Sequence, residues 1–330
     1  MRMVRVPGGI FYNGDCISGA SDIADNSVDL IITDPPYGIE GDKLHRHYNR
    51  DESFVTDGYV EIPADRYGTF SMDWILEAER ILRPGGSIYI VSGYTNLIHI
   101  LNALYHTGLE EINHIIWKYN FGVFTSRKYV SSHYHILFYA KPGGKRTFNT
   151  ECRISLTEKD EQGGSLNYQD REDVWIINRE YKPGRVKNKN ELPFALLSRI
   201  IQYSSDEGDL VCDLFLGGFS TARAAIGLSR RVIGFEISSA MFDARIDEMK
   251  DIVPGSLLDQ IRTPLMPGKK LTRKPWTAKE IDLLRNRYIE LSGTDKSEKE
   301  INLILQVEFN RGYWSIEKTL KQTSIKTQRG

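Results

Sequence analysis

The chain reads as an α/β protein built on a mainly parallel sheet, and three observations say so. Short apolar runs alternate with stretches of helical periodicity, as strands and crossover helices do. Two of those runs, 28–33 and 210–213, lead into an acid and then a proline or glycine turn, which is where open α/β sheets place ligands. At 330 residues, 40% of them hydrophobic and 26% charged, the chain can bury one large core with a smaller unit beside it.

The runs that predict strands are 10–15, 28–33, 87–91, 112–119, 133–140, 210–213 and 231–236, giving a seven-stranded mixed sheet of Rossmann-like type. Apolar residues at helical spacing predict helices over 72–82, 96–105, 194–203, 220–228 and 239–250. Pro84-Gly85-Gly86 should stop the first of these and turn the chain into the next strand. Strands 112–119 and 133–140 are joined by a short polar connection, so an antiparallel hairpin is expected to close one sheet edge. Two polar, charge-rich stretches, 38–69 and 141–190, are too long for plain connections and read as functional loops.

Residues 265–274, with Pro267-Gly268-Lys269-Lys270, read as a linker between a first domain over 1–264 and an all-α module over 275–325. Three helical segments are expected there, 278–292, 298–309 and 315–321, the first with Thr277 as N-cap and Glu280 behind it. Net charge is -1, yet from Arg262 onward 15 basic residues face 8 acidic ones. A basic tail on an acidic body has the form of an electrostatic anchor, although helical modules of this size also serve oligomerisation.

No apolar run approaches the roughly 20 residues that span a bilayer, and the first residues lack the pattern of a signal peptide. A cytoplasmic protein with no membrane partner is expected. Cys16, Cys152 and Cys212 are too widely spaced for a zinc knuckle or disulfide framework. His133 and His135 share a strand face, as His45 and His47 would, but neither pair has a third ligand nearby in sequence, and no metal is expected.

The strongest motif is Asp34-Pro35-Pro36-Tyr37 at the end of strand 28–33. A nucleobase amino group is a poor nucleophile because its lone pair is delocalised into the ring. Acceptors on both amino hydrogens favour a pyramidal nitrogen; the Asp34 carboxylate and the Pro35 carbonyl can be those acceptors, since proline carries no competing N–H. Tyr37 offers a flat face on which an extruded base can stack.

The tetrad resembles the catalytic motif of amino-group DNA methyltransferases, and residues 10 to about 250 resemble their circularly permuted β class, in which the catalytic motif precedes the cofactor motif. The resemblance implies S-adenosyl-L-methionine as cofactor and double-stranded DNA as partner, with methyl transfer to N6 of adenine in a flipped-out base. Asp213, Phe215, Gly217, Gly218, Ser220 and Thr221 then form the cofactor loop, with Asp34 at its catalytic side. Glu236, followed by Ile237, corresponds to the acid that takes the ribose hydroxyls, and Asp15-Cys16 to the strand end that recognises the cofactor adenine. Leu192 and Pro193 open a helix covering the methionine moiety. Phe219 departs from the pattern, which has glycine there, and a bulky residue at that point is expected to crowd the cofactor.

Target-base and DNA contacts are expected from Trp117, Lys118, Arg127, Lys128, His133, Lys145, Arg146, Lys182 and Arg185, with target recognition over about 141–190. For Trp117 core packing is the competing reading, and for the basic residues a solvated loop. The C-terminal helices, with Trp276 and Trp314, resemble a Myb- or SANT-like DNA-binding module.

N4-cytosine methylation is the nearest alternative, and the leading aspartate favours adenine. RNA and protein amide methyltransferases usually begin the tetrad with asparagine and lack the permuted order. A catalytically weak DNA-binding subunit is the alternative that Phe219 motivates. A cognate restriction endonuclease and a homodimer are further candidate partners, in a prokaryotic or phage setting.

Overall fold

The computed structural model describes residues 1–38, 62–120, 126–180, 191–265, 276–294, 296–309, 311 and 313–322. The chain divides into two compact units, Met1–Pro264 and Leu265–Gly330.

Among the described residues the first unit holds nine strands rather than the seven expected: β1 (Arg2–Val6), β2 (Gly9–Asn13), β3 (Val28–Thr33), β4 (Leu82–Ser92), β5 (Glu110–Lys118), β6 (His133–Ala140), β7 (Val174–Ile176), β8 (Leu210–Asp213) and β9 (Arg231–Glu236). They form one sheet in the order β1-β2-β9-β8-β3-β4-β6-β5-β7. β1 escapes a periodicity reading because Arg2 and Arg5 interrupt it, a usual feature of an edge strand that must not recruit another chain. β7 has three residues, and only Trp175 is buried.

Strands β2, β9, β8, β3 and β4 run parallel, so their carboxyl ends share one edge of the sheet. β6 is antiparallel to both β4 and β5. The expected hairpin is therefore present, but it does not close the sheet, because β7 adds in parallel outside β5.

Helices cover both faces. On one, α5 (Phe194–Ser204), α6 (Ser220–Gly227) and α7 (Ser239–Lys250) bury Leu197, Ile201, Ala225 and Phe242 against Leu30, Ile32 and Val211. On the other, α2 (Tyr67–Ile81) and α3 (Leu97–Tyr105) set Trp74, Ile75, Ala78 and Ile100 against Ile31, Ile88 and Ile90. Two short helices, α1 (Cys16–Gly19) and α4 (Leu166–Gln169), are opened by side-chain caps from Asp15 and Ser165.

Pro84-Gly85-Gly86 does not separate α2 from β4, which starts directly at Leu82. The tripeptide instead lies inside β4 as an excursion, the register stepping from Val28 opposite Leu82 to Leu30 opposite Ser87. Gly85 has φ +80°, and a Cβ there would collide with the Lys145 carbonyl, so glycine is required for that close approach.

The second unit comprises α8 (Ala278–Ser292), α9 (Glu298–Glu308) and α10 (Tyr313–Gln322) around Leu284, Tyr288, Leu291, Ile301, Leu305, Ile316 and Leu320. Capping boxes open α8 (Thr277 with Glu280) and α9 (Ser297 with Glu300). The Trp276 indole N–H donates to Ser315 Oγ at 3.0 Å, and the Arg311 guanidinium lies 4.7 Å from the Trp276 ring while pairing with Glu280 at 3.0 Å. The Trp314 side chain, the 266–275 part of the expected linker and most of the 38–69 loop lie outside the described residues.

Candidate active site

Four adjacent parallel strands, β2, β9, β8 and β3, each run into an acid at the same edge: Asp15, Glu236, Asp213 and Asp34. With strands about 4.8 Å apart, these acids form a row across the sheet even though they are scattered through the sequence.

Each acid is fixed by donors close at hand. Asp15 accepts from Ile17 N (3.3 Å) and Ser18 N (2.9 Å) as the N-cap of α1. Glu236 accepts Gly217 N at 2.8 Å on one oxygen and Ser238 N at 2.7 Å on the other. Asp213 is buried beneath the glycine loop, accepting from Phe215 N (3.0 Å) and Thr33 Oγ1 (3.2 Å), with the Thr221 hydroxyl as a further donor. Burial pushes Asp213 up to about 6 and Glu236 up to about 7, against the hydrogen bonds that favour their ionised forms.

Asp34 and Pro35 follow β3, and the Tyr37 hydroxyl donates to Asp34 Oδ1 at 2.6 Å. Burial raises the Asp34 carboxyl to about 7; that hydrogen bond lowers it, the Asp213 charge raises it and the Arg179 charge lowers it. The loop is braced from outside. Tyr67 of α2 donates its hydroxyl to the Pro36 carbonyl (2.8 Å), and Asn96 donates its amide to the Tyr37 carbonyl (2.6 Å). Among the described residues no hydrogen bond occupies the Pro35 carbonyl.

An aromatic wall stands beside the loop. Tyr37 meets Tyr134 with ring centroids 5.7 Å apart, and Tyr134 packs on Trp117 (5.5 Å) and Tyr119 (5.3 Å). Trp117 is 2% exposed and its indole N–H donates to the Ile177 carbonyl at 2.8 Å, so it buttresses Tyr134 and presents no free face to a base. Lys118, Arg127, Lys128 and His133 are exposed around the β5–β6 connection at this same edge. His114, not singled out in the sequence, brings Nε2 to 2.8 Å from His135 Nδ1.

Lys145 and Arg146 lie elsewhere. β6 runs against β4, pairing His135 with Ser92 at the site edge and Ala140 with Ser87 at the far end, so the chain after β6 emerges at the opposite end of the sheet. There Arg146 stacks over Phe138 and Phe148, both at 5.4 Å. Lys182 and Arg185 fall outside the described residues.

Phe219 does not crowd the loop. It takes φ +60°, ψ 23°, the left-handed conformation that explains a preference for glycine, and its fully buried ring packs between Phe11 (5.2 Å) and Phe242 (5.8 Å). The backbone turns as glycine would, while the ring points into the core. Gly218 lies under the Glu191 carboxylate, where a Cβ would collide, and Glu191 is held by Arg223 (3.1 Å) and Arg245 (3.3 Å).

A DNA methylase family model covering N6 and N4 amino methylation matches residues 28–246. The chain belongs to the N6/N4 DNA methylase family. It is 31% identical over 228 residues to the Type II methyltransferase M.HpaI of Haemophilus parainfluenzae, covering 68% of each chain. It is 27% identical over 310 residues to M.HinfI of Haemophilus influenzae, 89% of this chain and 81% of that one. In fold it is similar to a protein from Thermus thermophilus described as a DNA modification methylase, solved with S-adenosyl-L-methionine: TM-score 0.53, 21% identity, 78% of this chain and 98% of that one.

The remaining expected site residues of this methylase fall as follows. Leu192 is buried in the core and Pro193 is the N-cap of α5, whose Phe194 N donates to Glu180 at 2.7 Å. Ser220 opens α6, and Ile237 is 52% exposed beyond Glu236. Phe215 packs edge-on against Trp74 (5.5 Å). The Cys16 thiol is buried in the core, which pushes its pKa upward, so only its backbone is available at the edge. Tyr67, Asn96, Arg179 and Glu191 carry no motif in the sequence, because each owes its place to a partner distant in the chain. Among the described residues, no helix is long and apolar enough to cross a membrane.

Proposed function

We propose that this methylase transfers a methyl group from S-adenosyl-L-methionine to N6 of an adenine flipped out of double-stranded DNA. The observation that carries this reading is the Asp34 loop: a carboxylate anchored by Tyr37 on one oxygen, next to a proline carbonyl with no partner among the described residues, beside an aromatic wall. The leading aspartate favours adenine over cytosine.

The chemistry of the donor set fits such a cofactor. Three partly desolvated carboxylates, Asp34, Asp213 and Glu236, suit a ligand carrying positive charge and ribose hydroxyls. Each Glu236 oxygen is used once by a backbone N–H and keeps a further lone pair for a hydroxyl. Asp15 and the Gly217-Gly218 turn complete that half of the site. When bound, S-adenosyl-L-methionine supplies a sulfonium-activated methyl group.

The chain's own residues prepare the acceptor. Asp34 and the Pro35 carbonyl accept the two amino hydrogens and localise the nitrogen lone pair. Tyr37 stacks on the base. As the nitrogen gains its methyl group, it sheds a proton to Asp34, whose raised pKa suits it to receive one near neutrality.

Incubation with unmethylated DNA and labelled cofactor, then nucleoside mass spectrometry, tests this. N6-methyladenine is expected. N4-methylcytosine would replace the base assignment, and no methylated nucleoside would sink the enzymatic reading of this site.

The second unit, basic and helical, is assigned to holding DNA in the manner of a Myb-like module. Its removal after Pro264 should weaken DNA binding and flatten its salt dependence; unchanged affinity would make it an interaction module. The two Haemophilus relatives are Type II methyltransferases, and protection of a recognition sequence from a partner nuclease is the setting we carry over.

A further inference from the structure

Directly beyond β7 the chain is tied down at Ile177 and again at Glu180. Ile177 N donates to the Lys118 carbonyl at 3.1 Å, and the Ile177 carbonyl receives the Trp117 indole. Glu180 then takes Phe194 N at the start of α5. Held between these anchors, the Arg179 guanidinium lies 4.9 Å from the Tyr119 ring centroid and 5.2 Å from that of Tyr134, and its Nη2 donates to the Tyr134 hydroxyl at 2.8 Å. Tyr134 packs on Tyr37, and Tyr37 holds Asp34.

We propose that Arg179 is a positioning residue for methyl transfer: stacked on Tyr119 and Tyr134, it supplies the positive charge that keeps Asp34 ready to accept an amino hydrogen. This rests on reading Asp34 as the amino-group acceptor. The groups facing Asp34 make the need for a cation plain. Among the described residues, Tyr37 comes from its own loop, Tyr67 from α2, Tyr134 from β6 and Asp213 from β8, and Arg179 is a cation beside them. Burial and Asp213 both disfavour the ionised carboxylate, and the Arg179 charge and the Tyr37 hydroxyl oppose them. The stack on two rings, with the hydrogen bond to the Tyr134 hydroxyl, keeps the guanidinium in place beside the aromatic wall.

A purely structural Arg179 would clamp the aromatic wall and nothing more, so the test must read protonation. Single-turnover methyl transfer at saturating cofactor is followed from about pH 5.5 to about 9.5 for wild type, Arg179→Gln and Arg179→Lys, with Asp34→Asn as control. Arg179→Gln keeps a donor for Tyr134 but removes the charge together with the ring stack, and Arg179→Lys, which keeps the charge without the planar stack, separates the two. The Arg179→Gln midpoint should move alkaline by about one unit, making that variant about fivefold slower at pH 7 and close to wild type at pH 9. Arg179→Lys should keep the wild-type midpoint whatever its rate.

Equal slowing of Arg179→Gln at every pH, or no change, overturns the proposal. If Arg179→Gln does not fold, a shifted midpoint in Arg179→Lys overturns it as well. Near-normal turnover by Asp34→Asn would remove the underlying reading of Asp34. An inactive Asp34→Asn together with an unshifted Arg179→Gln would remove only the role of Arg179.

Discussion

The two halves of the carboxyl edge are held together by opposite means. Where β2, β8 and β9 end, Asp15 caps residues two and three places on, Asp213 takes an N–H two places on, and Glu236 does the same. Where β3, β5 and β7 end and β6 begins, the ties span the chain: Tyr67 to Pro36 across 31 residues, Arg179 to Tyr134 across 45, Asn96 to Tyr37 across 59 and Trp117 to Ile177 across 60. The cofactor half is therefore built first on local turns, with Gly217 N on Glu236 and Thr33 on Asp213 tying neighbouring strand ends together. The target half exists only once distant segments have packed, and its geometry answers to residues that touch no reacting atom.

The sharpest way to break this comparison is at the junction of the halves. Asp34→Asn should lower methyl transfer by about 10²–10⁴-fold in single-turnover assays while calorimetric cofactor affinity stays within a few-fold of wild type. A comparable loss of cofactor binding would place Asp34 in the cofactor half instead.

Next in size is Phe219→Gly, which relieves a left-handed backbone worth about 1–2 kcal/mol but empties a core site worth about 3–5 kcal/mol. The net should be a loss of about 1–4 kcal/mol in urea unfolding. A stabilised variant would mean that the ring contributes little.

Glu236→Gln should weaken cofactor binding by about 1.5–3 kcal/mol, roughly 10- to 100-fold in calorimetry, with little effect on the methyl-transfer step once cofactor saturates. A fall in that step at saturation would couple the two halves more tightly than their hydrogen bonds suggest.

The pH dependence of stability probes both halves together. Asp34 and Glu236 at about 7 and Asp213 at about 6 stand above ordinary carboxylates because burial disfavours their charge. The folded chain then retains protons that the unfolded chain releases, so stability falls as pH rises from the unfolded values near about 4 through about 7. The urea midpoint should be lower at about pH 8 than at about pH 5.5, and saturating cofactor should narrow the gap. Equal midpoints without cofactor would show these carboxylates to be better solvated than their burial implies.

The smallest effect separates the two ends of the sheet. Lys128→Ala, at the site edge, should reduce the salt slope of DNA binding by about one, and Lys145→Ala, at the far end, should leave it unchanged. Equal slopes would erase the distinction that the β4–β6 pairing draws.

What the sequence determined by itself were the parts whose physics is local. An apolar run ending in an acid and a proline turn places a side chain at the mouth of a sheet whatever its neighbours do, so the Asp34 loop was legible on its own, while Glu236, Asp15 and the glycine turn were legible through the family resemblance that the loop opened. Helices with a clear apolar stripe were likewise legible on their own, and the cap residues Thr277 and Glu280 marked where one begins. Only the tertiary structure decided that those four acids stand side by side, because strand order is set by packing and not by chain order. It also decided that Lys145 and Arg146 leave from the wrong end of the sheet, that Trp117 is a buttress, and that the Phe219 ring enters the core while its backbone imitates glycine. Side-chain direction and the meeting of residues dozens of positions apart follow from the closed fold, since no local interaction encodes them.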